Sequence, residues 1–318
     1  MDKEKFDVIK NRVGFVAAMD QSGGSSGVTL KRYGILENEY SSDEEMFELI
    51  HEMRKRIISN SCFNSKYIIG VILFYNTMNS KIDDEYVPNY LWNKKKIPSF
   101  LKIDSGLSDK YDGVSIMKDF VDLDKKLELA YERGIVGTKM RSVIYEANEE
   151  GIKKVVKQQF DYAKIICDKG FIPIIEPEVD INAKDKELCE EILKKEIINS
   201  LNNWNMDDKI LFKFTIPSID NFYLDLYDYD CVVRIFALSG GYDIDTAVYK
   251  LSNNNKMIAS FSRALLQDLN VNQSEDEFSD VLKDNIDKIY KASIVWFCYK
   301  EVFIMSYISS YKDCNIEK

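Results

Sequence analysis

Histidine is almost missing from this chain, which has a single one, His51, among 318 residues. Zinc sites that depend on several histidines are therefore excluded. A Ser-His-Asp triad is also disfavoured, because His51 falls in a stretch of helical periodicity, where we expect it on the surface and without a role. Acid–base chemistry must then depend on carboxylates, lysines or tyrosines.

Paired cysteines and long apolar runs are missing too. The six cysteines are scattered and form no Cys-x-x-Cys pair, which indicates reduced thiols in a cytoplasmic protein. No apolar run is long enough to span a bilayer. Residues 1–5 are charged and have no apolar core behind them, so we expect no signal peptide.

Positive charge is in deficit, with a formal net charge of -10. This argues against broad binding to nucleic acid or to anionic membranes, although a local basic pocket could still hold an anionic ligand. Hydrophobic residues make up 45% of the chain and charged residues 30%. We therefore expect a globular fold, either two ordinary domains or one large α/β barrel.

Short apolar runs rich in β-branched residues alternate with charged stretches of helical period. The runs predict strands at 14–19, 67–74, 97–103, 135–140, 171–179, 210–216, 231–238 and 257–261. The stretches predict helices at 43–59, 122–133, 149–169, 184–199, 242–251 and 275–293. This order predicts an α/β fold of the (β/α)8 TIM-barrel type over 1–295, followed by an aromatic-rich tail at 296–318. A doubly wound open sheet is the alternative.

Lys213 lies in the run 209–217, which otherwise reads as a buried strand. Burial disfavours the charged form of an amine, and the neutral amine is the nucleophile that attacks a carbonyl. A lysine in this position therefore predicts Schiff-base chemistry.

Nearly every predicted strand ends in charged or hydroxyl residues, and in a barrel these ends converge at the face where active sites are built. Three pairs of residues lie two positions apart and so point the same way on their strands: Lys102 and Asp104, Lys139 and Arg141, Glu176 and Glu178. Further strand ends carry Asp20, Ser22, Ser25, Lys213, Ser239, Gly240, Gly241 and Arg263. So many charges in one mouth indicate a ligand site.

Each of these features has a structural explanation when taken alone. Asp20 could cap a helix, the Gly/Ser cluster at 22–27 could be a flexible turn, and Pro177 could end its strand. A lysine near a strand end is usually a surface residue. Their occurrence at seven strand ends together favours a common function.

Seven short motifs follow one another at the spacing of barrel strands: AAMDQS at 17–22, FLKID at 100–104, GTKMR at 137–141, PIIEPE at 173–178, LFK at 211–213, LSGG at 238–241 and SRAL at 262–265. Together they resemble class I fructose-bisphosphate aldolases, in that family's order. The resemblance covers about residues 12–293 and is nearer to the bacterial branch than to the animal one.

The resemblance implies a lyase that reversibly cleaves fructose 1,6-bisphosphate to dihydroxyacetone phosphate and glyceraldehyde 3-phosphate, in glycolysis or gluconeogenesis. It implies a covalent lysine imine and neither a metal nor another cofactor. Lys213 matches the imine-forming lysine, Glu176 the general acid/base, and Lys139 the cation beside them. Asp20 matches the carboxylate at the scissile bond, and Glu178 matches a carboxylate that organises the lysines.

Two phosphate sites are implied as well. Ser239, Gly240, Gly241 and Arg263 match the site for the C1 phosphate, whereas Ser22, Ser25, Lys102 and Arg141 match the region of the distal one. The expected partner is a phosphorylated sugar, and we expect binding to neither nucleic acid nor membrane. The resemblance is compatible with a homo-oligomer.

The chain departs from the animal pattern at Ser262, where the animal enzymes have glycine, and in a first loop with an apparent short insertion. The animal members use a C-terminal tyrosine in proton transfer, and here the last tyrosine is Tyr311. We assign no catalytic residue to the tail. Two alternatives stay open: another Schiff-base aldolase with a different sugar, and a non-catalytic barrel that binds phosphorylated metabolites.

Overall fold

The computed structural model describes residues 2–22 and 24–313, with side chains only as far as Trp296. Eight parallel strands pair in sequence order: β1 (Phe15–Met19), β2 (Ile68–Leu73), β3 (Ser99–Lys102), β4 (Gly137–Ile144), β5 (Ile172–Val179), β6 (Ile210–Thr215), β7 (Val232–Leu238) and β8 (Met257–Ala259). A backbone hydrogen bond of 3.1 Å from Ala18 N to Phe261 O joins the two edges of this sheet. The predicted (β/α)8 barrel is therefore confirmed, and the open sheet is excluded.

Helices surround the barrel: α1 (Lys3–Asn11), α2 (Gly24–Tyr33), α3 (Asp43–Ser59), α4 (Tyr75–Asn79), α5 (Val87–Lys95), α6 (Leu123–Glu132), α7 (Glu149–Asp168), α8 (Lys186–Leu201), α9 (Ile244–Ser252) and α10 (Glu275–Asp313). All six predicted helices are present, and α3 has the predicted bounds. The sequence pattern did not predict α1, α2, α4 and α5. A short strand, Val114–Ser115, pairs antiparallel with β4, and Lys81–Ile82 pairs with Glu85–Tyr86.

The strands are buried on both faces because the helices cover the outside and a second apolar cluster fills the inside. This inner cluster contains Val16, Ala18, Ile69, Ile72, Phe100, Ile172, Ile174, Leu211, Phe236 and Ile258. Since side chains alternate along a strand, a residue two positions after an inner one also points inward. Four site residues follow inner residues in this way: Asp20 after Ala18, Lys102 after Phe100, Glu176 after Ile174 and Lys213 after Leu211.

α1 closes the opposite end of the barrel. Its Ile9 belongs to the inner cluster, and Phe6 packs against that cluster. The buried guanidinium of Arg234 donates from Nε to Ile9 O at 3.1 Å and from Nη2 to Lys10 O and Arg12 O at 2.8 and 2.9 Å. The carbonyls at the end of a helix lack partners and carry partial negative charge, so an arginine there holds the helix in place.

α10 continues across the predicted boundary between barrel and tail at 295/296. The aromatic side chains from 297 onward lie outside the described residues, so the division into barrel and tail stays a prediction. Within 2–22 and 24–313, no helix combines the length and the apolar character that a bilayer crossing requires.

Candidate active site

A cavity of about 460 Å³ opens at the carboxyl ends of the barrel strands. Every predicted site residue lines it except Gly241, which lines an adjoining cavity of about 410 Å³ that also contacts Arg263. The lining includes six cationic side chains and four carboxylates: Arg32, Lys102, Lys139, Arg141, Lys213 and Arg263, against Asp20, Asp104, Glu176 and Glu178. A locally positive pocket in an acidic chain favours an anionic ligand.

Four of these side chains form a line of alternating charge. Lys213 Nζ lies 2.9 Å from Glu176 Oε1. Lys139 Nζ lies 2.7 Å from Glu176 Oε2 and 2.7 Å from Asp20 Oδ2. These groups come from β6, β5, β4 and the end of β1, and the first three side chains are at most 5% exposed. Charges at this depth are stable only when they are paired.

The electrostatics of this line set the charge states of Asp20, Glu176 and Lys139 at neutral pH. Burial disfavours the ionised form of Asp20 and of Glu176, but Lys139 and Lys213 outweigh it and lower the pKa of both carboxyls. Burial likewise disfavours the ammonium of Lys139, but the charges of Asp20 and Glu176 outweigh it and raise its pKa. Lys139 therefore remains a cation between two carboxylates.

The backbone of Glu176 is held from outside the barrel. The β5–β6 ladder ends at the pair of Ile175 and Phe212, one residue before Glu176. The buried Gln159 of α7 replaces the neighbouring strand as the partner of Glu176 N, because its Oε1 accepts from this N–H at 2.8 Å. Gln159 therefore fixes the position of a residue whose backbone N–H has left the β5–β6 ladder. The sequence held no signal for this contact, because it joins a helix to a strand.

Two further ion pairs flank the line of charges. Lys102 Nζ contacts Asp104 Oδ1 at 2.7 Å, and Arg141 Nε contacts Glu178 Oε2 at 2.6 Å. The prediction that residues two positions apart point the same way is confirmed, since the side chains of all three predicted pairs line one cavity. The partner of Glu178 in the structure is Arg141 rather than a lysine.

The loop after β7 turns sharply beside Arg263. Tyr242 N donates to Ser239 O at 2.9 Å, and Gly240 and Gly241 have φ of +60° and +124°. A Cβ at Gly240 would also lie 2.5 Å from Ile181 Cγ2, so this position requires glycine for both backbone and space. A Cβ at Gly241 would lie 3.6 Å from Arg263 Nη2, which shows how closely the loop approaches the guanidinium.

The Gly/Ser cluster after β1 begins a helix instead of a flexible turn. Ser25 Oγ donates to Ser22 O at 2.8 Å and accepts from Ser22 N at 2.9 Å, which fixes the start of α2. α2 then carries Arg32 to the cavity. The sequence prediction missed Arg32 because it missed the helix. The helical spacing of Ser26, Leu30 and Tyr33, all buried, was the available signal.

No three or more His, Cys, Asp or Glu side chains in the described part of the chain cluster as a metal ion would require. His51 lies on α3, where its Nε2 is 3.1 Å from Lys81 O, away from the cavity lining.

Comparison with known proteins gives the family. The sequence pattern of the family described as "Fructose-bisphosphate aldolase class-I" matches residues 7–216. A protein of Clostridium acetobutylicum named fructose-bisphosphate aldolase class 1 is 54% identical over 294 residues, which cover 92% of this chain and 100% of that protein.

Two solved structures support the fold alone, because their sequence identity is low. Fructose-bisphosphate aldolase from Plasmodium falciparum matches with a TM-score of 0.69 and 20% identity, over 91% of this chain and 93% of that one. A protein of Corynebacterium glutamicum matches with a TM-score of 0.54 and 12% identity, over 92% of each chain. The resemblance found in the seven motifs is confirmed: the chain belongs to the class I fructose-bisphosphate aldolase family.

Proposed function

We propose that this chain cleaves fructose 1,6-bisphosphate reversibly to dihydroxyacetone phosphate and glyceraldehyde 3-phosphate, through an imine on Lys213. The observation that carries the proposal is the buried amine of Lys213, 4% exposed, at the barrel mouth and 2.9 Å from the carboxylate of Glu176. Class I chemistry needs no metal, because the protonated imine itself withdraws electrons from the bond that breaks.

The first step is imine formation at the C2 ketone. Glu176 Oε1 lies 2.9 Å from Lys213 Nζ, so Glu176 can accept a proton from the protonated lysine and free the amine for attack on the carbonyl carbon. The attacking nitrogen passes a second proton to the carbonyl oxygen, which becomes the carbinolamine hydroxyl. The protonated Glu176 then returns its proton to this hydroxyl, which leaves as water and gives the protonated imine. The fixed cation of Lys139, 2.7 Å from Glu176, stabilises negative charge that develops nearby.

The second step breaks the bond between C3 and C4. Asp20 accepts the proton of the C4 hydroxyl, the C4 aldehyde forms, and the bonding electrons move into the imine to give an enamine. The lowered pKa of Asp20, which burial opposes and Lys139 causes, keeps this carboxyl in the proton-accepting form at neutral pH. Protonation of the enamine carbon and hydrolysis of the imine then release the second product and restore Lys213.

Two phosphate sites orient the reacting carbons. Ser239, Gly240, Gly241 and Arg263 hold the C1 phosphate, with Arg32 as a further cation on the same side of the mouth. Ser22, Ser25, Lys102 and Arg141 meet the distal half of the sugar, and Glu178 orients Arg141 at 2.6 Å. Binding energy from the two phosphates is used to align the bond that reacts.

The enzyme is proposed to work in the cytoplasm, in glycolysis or gluconeogenesis, with phosphorylated sugars as its partners and neither nucleic acid nor membrane. The cavity is built from one chain, so the proposal holds equally for a monomer and for a homo-oligomer.

Turnover and trapping by the wild-type protein test the proposal. We expect cleavage of fructose 1,6-bisphosphate to exceed that of fructose 1-phosphate, unchanged activity in EDTA, and a covalent adduct on Lys213 after borohydride reduction with dihydroxyacetone phosphate. An adduct with preference for another sugar would favour a different Schiff-base aldolase. Folded protein without any adduct would favour a binding protein, and activity lost in EDTA and restored by zinc would contradict the metal-free mechanism.

Replacing Gly240 with alanine is expected to raise KM for fructose 1,6-bisphosphate about tenfold, because a side chain at positive φ costs ~1–2 kcal/mol and this one meets Ile181. Steady-state kinetics measure the change. Gly134→Ala is the matched control, since Gly134 also has a positive φ of +72° but lies at the closed end of the barrel, where its carbonyl accepts from Lys5 Nζ of α1. Equal KM values in the two variants would exclude the loop after β7 as a phosphate site.

A further inference from the structure

The seam between β1 and β8 is the least paired part of the barrel. Within the described chain, β1 and β8 are the two ends of the strand order and form no ladder with each other. The hydrogen bond from Ala18 N to Phe261 O joins them at 3.1 Å. Just beyond this bond the chain reaches Asp20 on one side and Arg263 on the other, so the seam separates two substrate-facing residues.

The side chain of Gln21 crosses this seam. Its Nε2 donates to Ser262 Oγ at 2.7 Å, and Gln21 is only 9% exposed. Gln21 directly follows Asp20, and Ser262 directly precedes Arg263. A single partly buried hydrogen bond therefore connects the backbone positions next to both substrate-facing residues.

Gln21 is itself held by Arg54 of α3. Arg54 Nη2 donates to Gln21 O at 2.8 Å and to Gln21 Oε1 at 2.9 Å. Arg54 is 1% exposed and its remaining side-chain partner is the hydroxyl of Thr77. Burial lowers the pKa of Arg54 to about 10, so the guanidinium is still charged at neutral pH.

No carboxylate of the described residues forms an ion pair with Arg54, although the charge of Asp20 partly offsets the burial of Arg54. Such a buried guanidinium is costly, and apolar packing would serve stability better. The presence of Arg54 at this buried position is explained if the site requires one orientation of Gln21. Two hydrogen bonds from one nitrogen fix the backbone and the amide oxygen of Gln21 together, which leaves the amide nitrogen pointing at Ser262.

We propose that Arg54, Gln21 and Ser262 form a positioning clamp that sets the distance across the seam between Asp20 and Arg263. The clamp rests on the proposed function, since Asp20 then meets the C4 hydroxyl and Arg263 the C1 phosphate. It aligns the scissile bond with its proton acceptor while the phosphate is bound. Gln21 and Ser262 line the same cavity as the catalytic residues, and the role proposed for them is to position Asp20 and Arg263.

Gln21→Met and Ser262→Ala test the clamp with little change in volume. Each is expected to lower kcat/KM about tenfold, with a lower kcat and a higher KM, because one displacement moves Asp20 and Arg263 together. The double variant should lose no more than twofold beyond either single one, since all three lack the same hydrogen bond. Thr77→Val is the matched control, because it removes a partner of Arg54 but leaves the seam bond, and it should stay within twofold of wild type.

Melting temperature and circular dichroism, measured beside the kinetics, separate positioning from stability. A purely structural role would lower the melting temperature and leave kcat and KM unchanged in the folded variants. That result, or a double variant whose loss equals the product of the single losses, would overturn the clamp. Wild-type protein without aldolase activity would instead refute the proposed function, so the two failures are distinguishable.

Discussion

Replacing Lys213 with methionine is expected to lower cleavage of fructose 1,6-bisphosphate by about 10⁴-fold or more, the range typical for removal of a covalent nucleophile. Methionine has similar length but no amine, so no imine can form with the ketone. The variant should also lose its adduct after borohydride reduction with dihydroxyacetone phosphate, which mass spectrometry of the intact chain would measure.

The matched control is Lys209→Met, in the residue just before β6. Lys209 Nζ donates to Met206 O at 2.7 Å and to Asp230 O at 3.1 Å, at the end of the strand opposite the mouth. This variant should retain the adduct and most of its activity. Cleavage that persists in Lys213→Met, with folding verified by circular dichroism, would refute the imine mechanism and with it the assignment of Lys213.

Replacing Lys139 with methionine should affect both stability and catalysis. It leaves Asp20 and Glu176 buried without the cation that lies 2.7 Å from each of them. Loss of one partner from a buried ion pair costs about 3–5 kcal/mol of unfolding free energy. Loss of one preorganised charge at a reacting centre costs about 100-fold or more in kcat. Urea denaturation and steady-state kinetics measure the two effects.

The pH dependence of unfolding gives a sharper test of this variant, because its slope in the acid range should become shallower. In the wild type, the folded-state pKa of Asp20 and Glu176 is lowered despite burial, so their stabilisation is lost as pH falls through the acid range. Without Lys139, burial of Asp20 is opposed only by the charges of Lys213 and Lys102, so the folded-state pKa of Asp20 should be higher than in the wild type. The variant should therefore lose less stability than the wild type as pH falls through the acid range.

A control for this test is Lys164→Met, which removes an exposed ion pair with Asp168. Surface pairs contribute about 0–1 kcal/mol, so its stability and pH slope should follow the wild type. If Lys139→Met also followed the wild type in slope, the line of alternating charges would not describe the site.

The barrel was predictable from sequence because its strands are unusually uniform. Runs such as those at β2 and β6 are buried throughout, and a strand with two buried faces leaves a continuous apolar run in the sequence. α3 has the predicted bounds, and its start coincides with a cap in which Ser42 Oγ accepts from Glu45 N. α2 was missed because Gly24 and its neighbours favour loops, and α5 because its residues form no clear apolar stripe.

The residues that line the site were also predictable, whereas the contacts among them were not. Strand periodicity places Lys139 and Arg141 on one side of β4, and the barrel brings all strand ends together. The sequence does not say that Glu178 pairs with Arg141, or that Arg54 and Gln159 reach the site from helices α3 and α7. Those contacts depend on how the helices pack on the barrel, and this packing leaves no short-range pattern in the sequence.

The helix at the closed end of the barrel bears on the order of events during synthesis. Arg234 Nε bonds to the carbonyl of Ile9 across a separation of 225 residues. α1 is synthesised before its partner on β7, because Arg234 follows Ile9 by 225 residues. Its apolar residues Phe6 and Ile9 must stay without their final contacts until then, so the nascent chain carries an unprotected hydrophobic segment that chaperones could recognise.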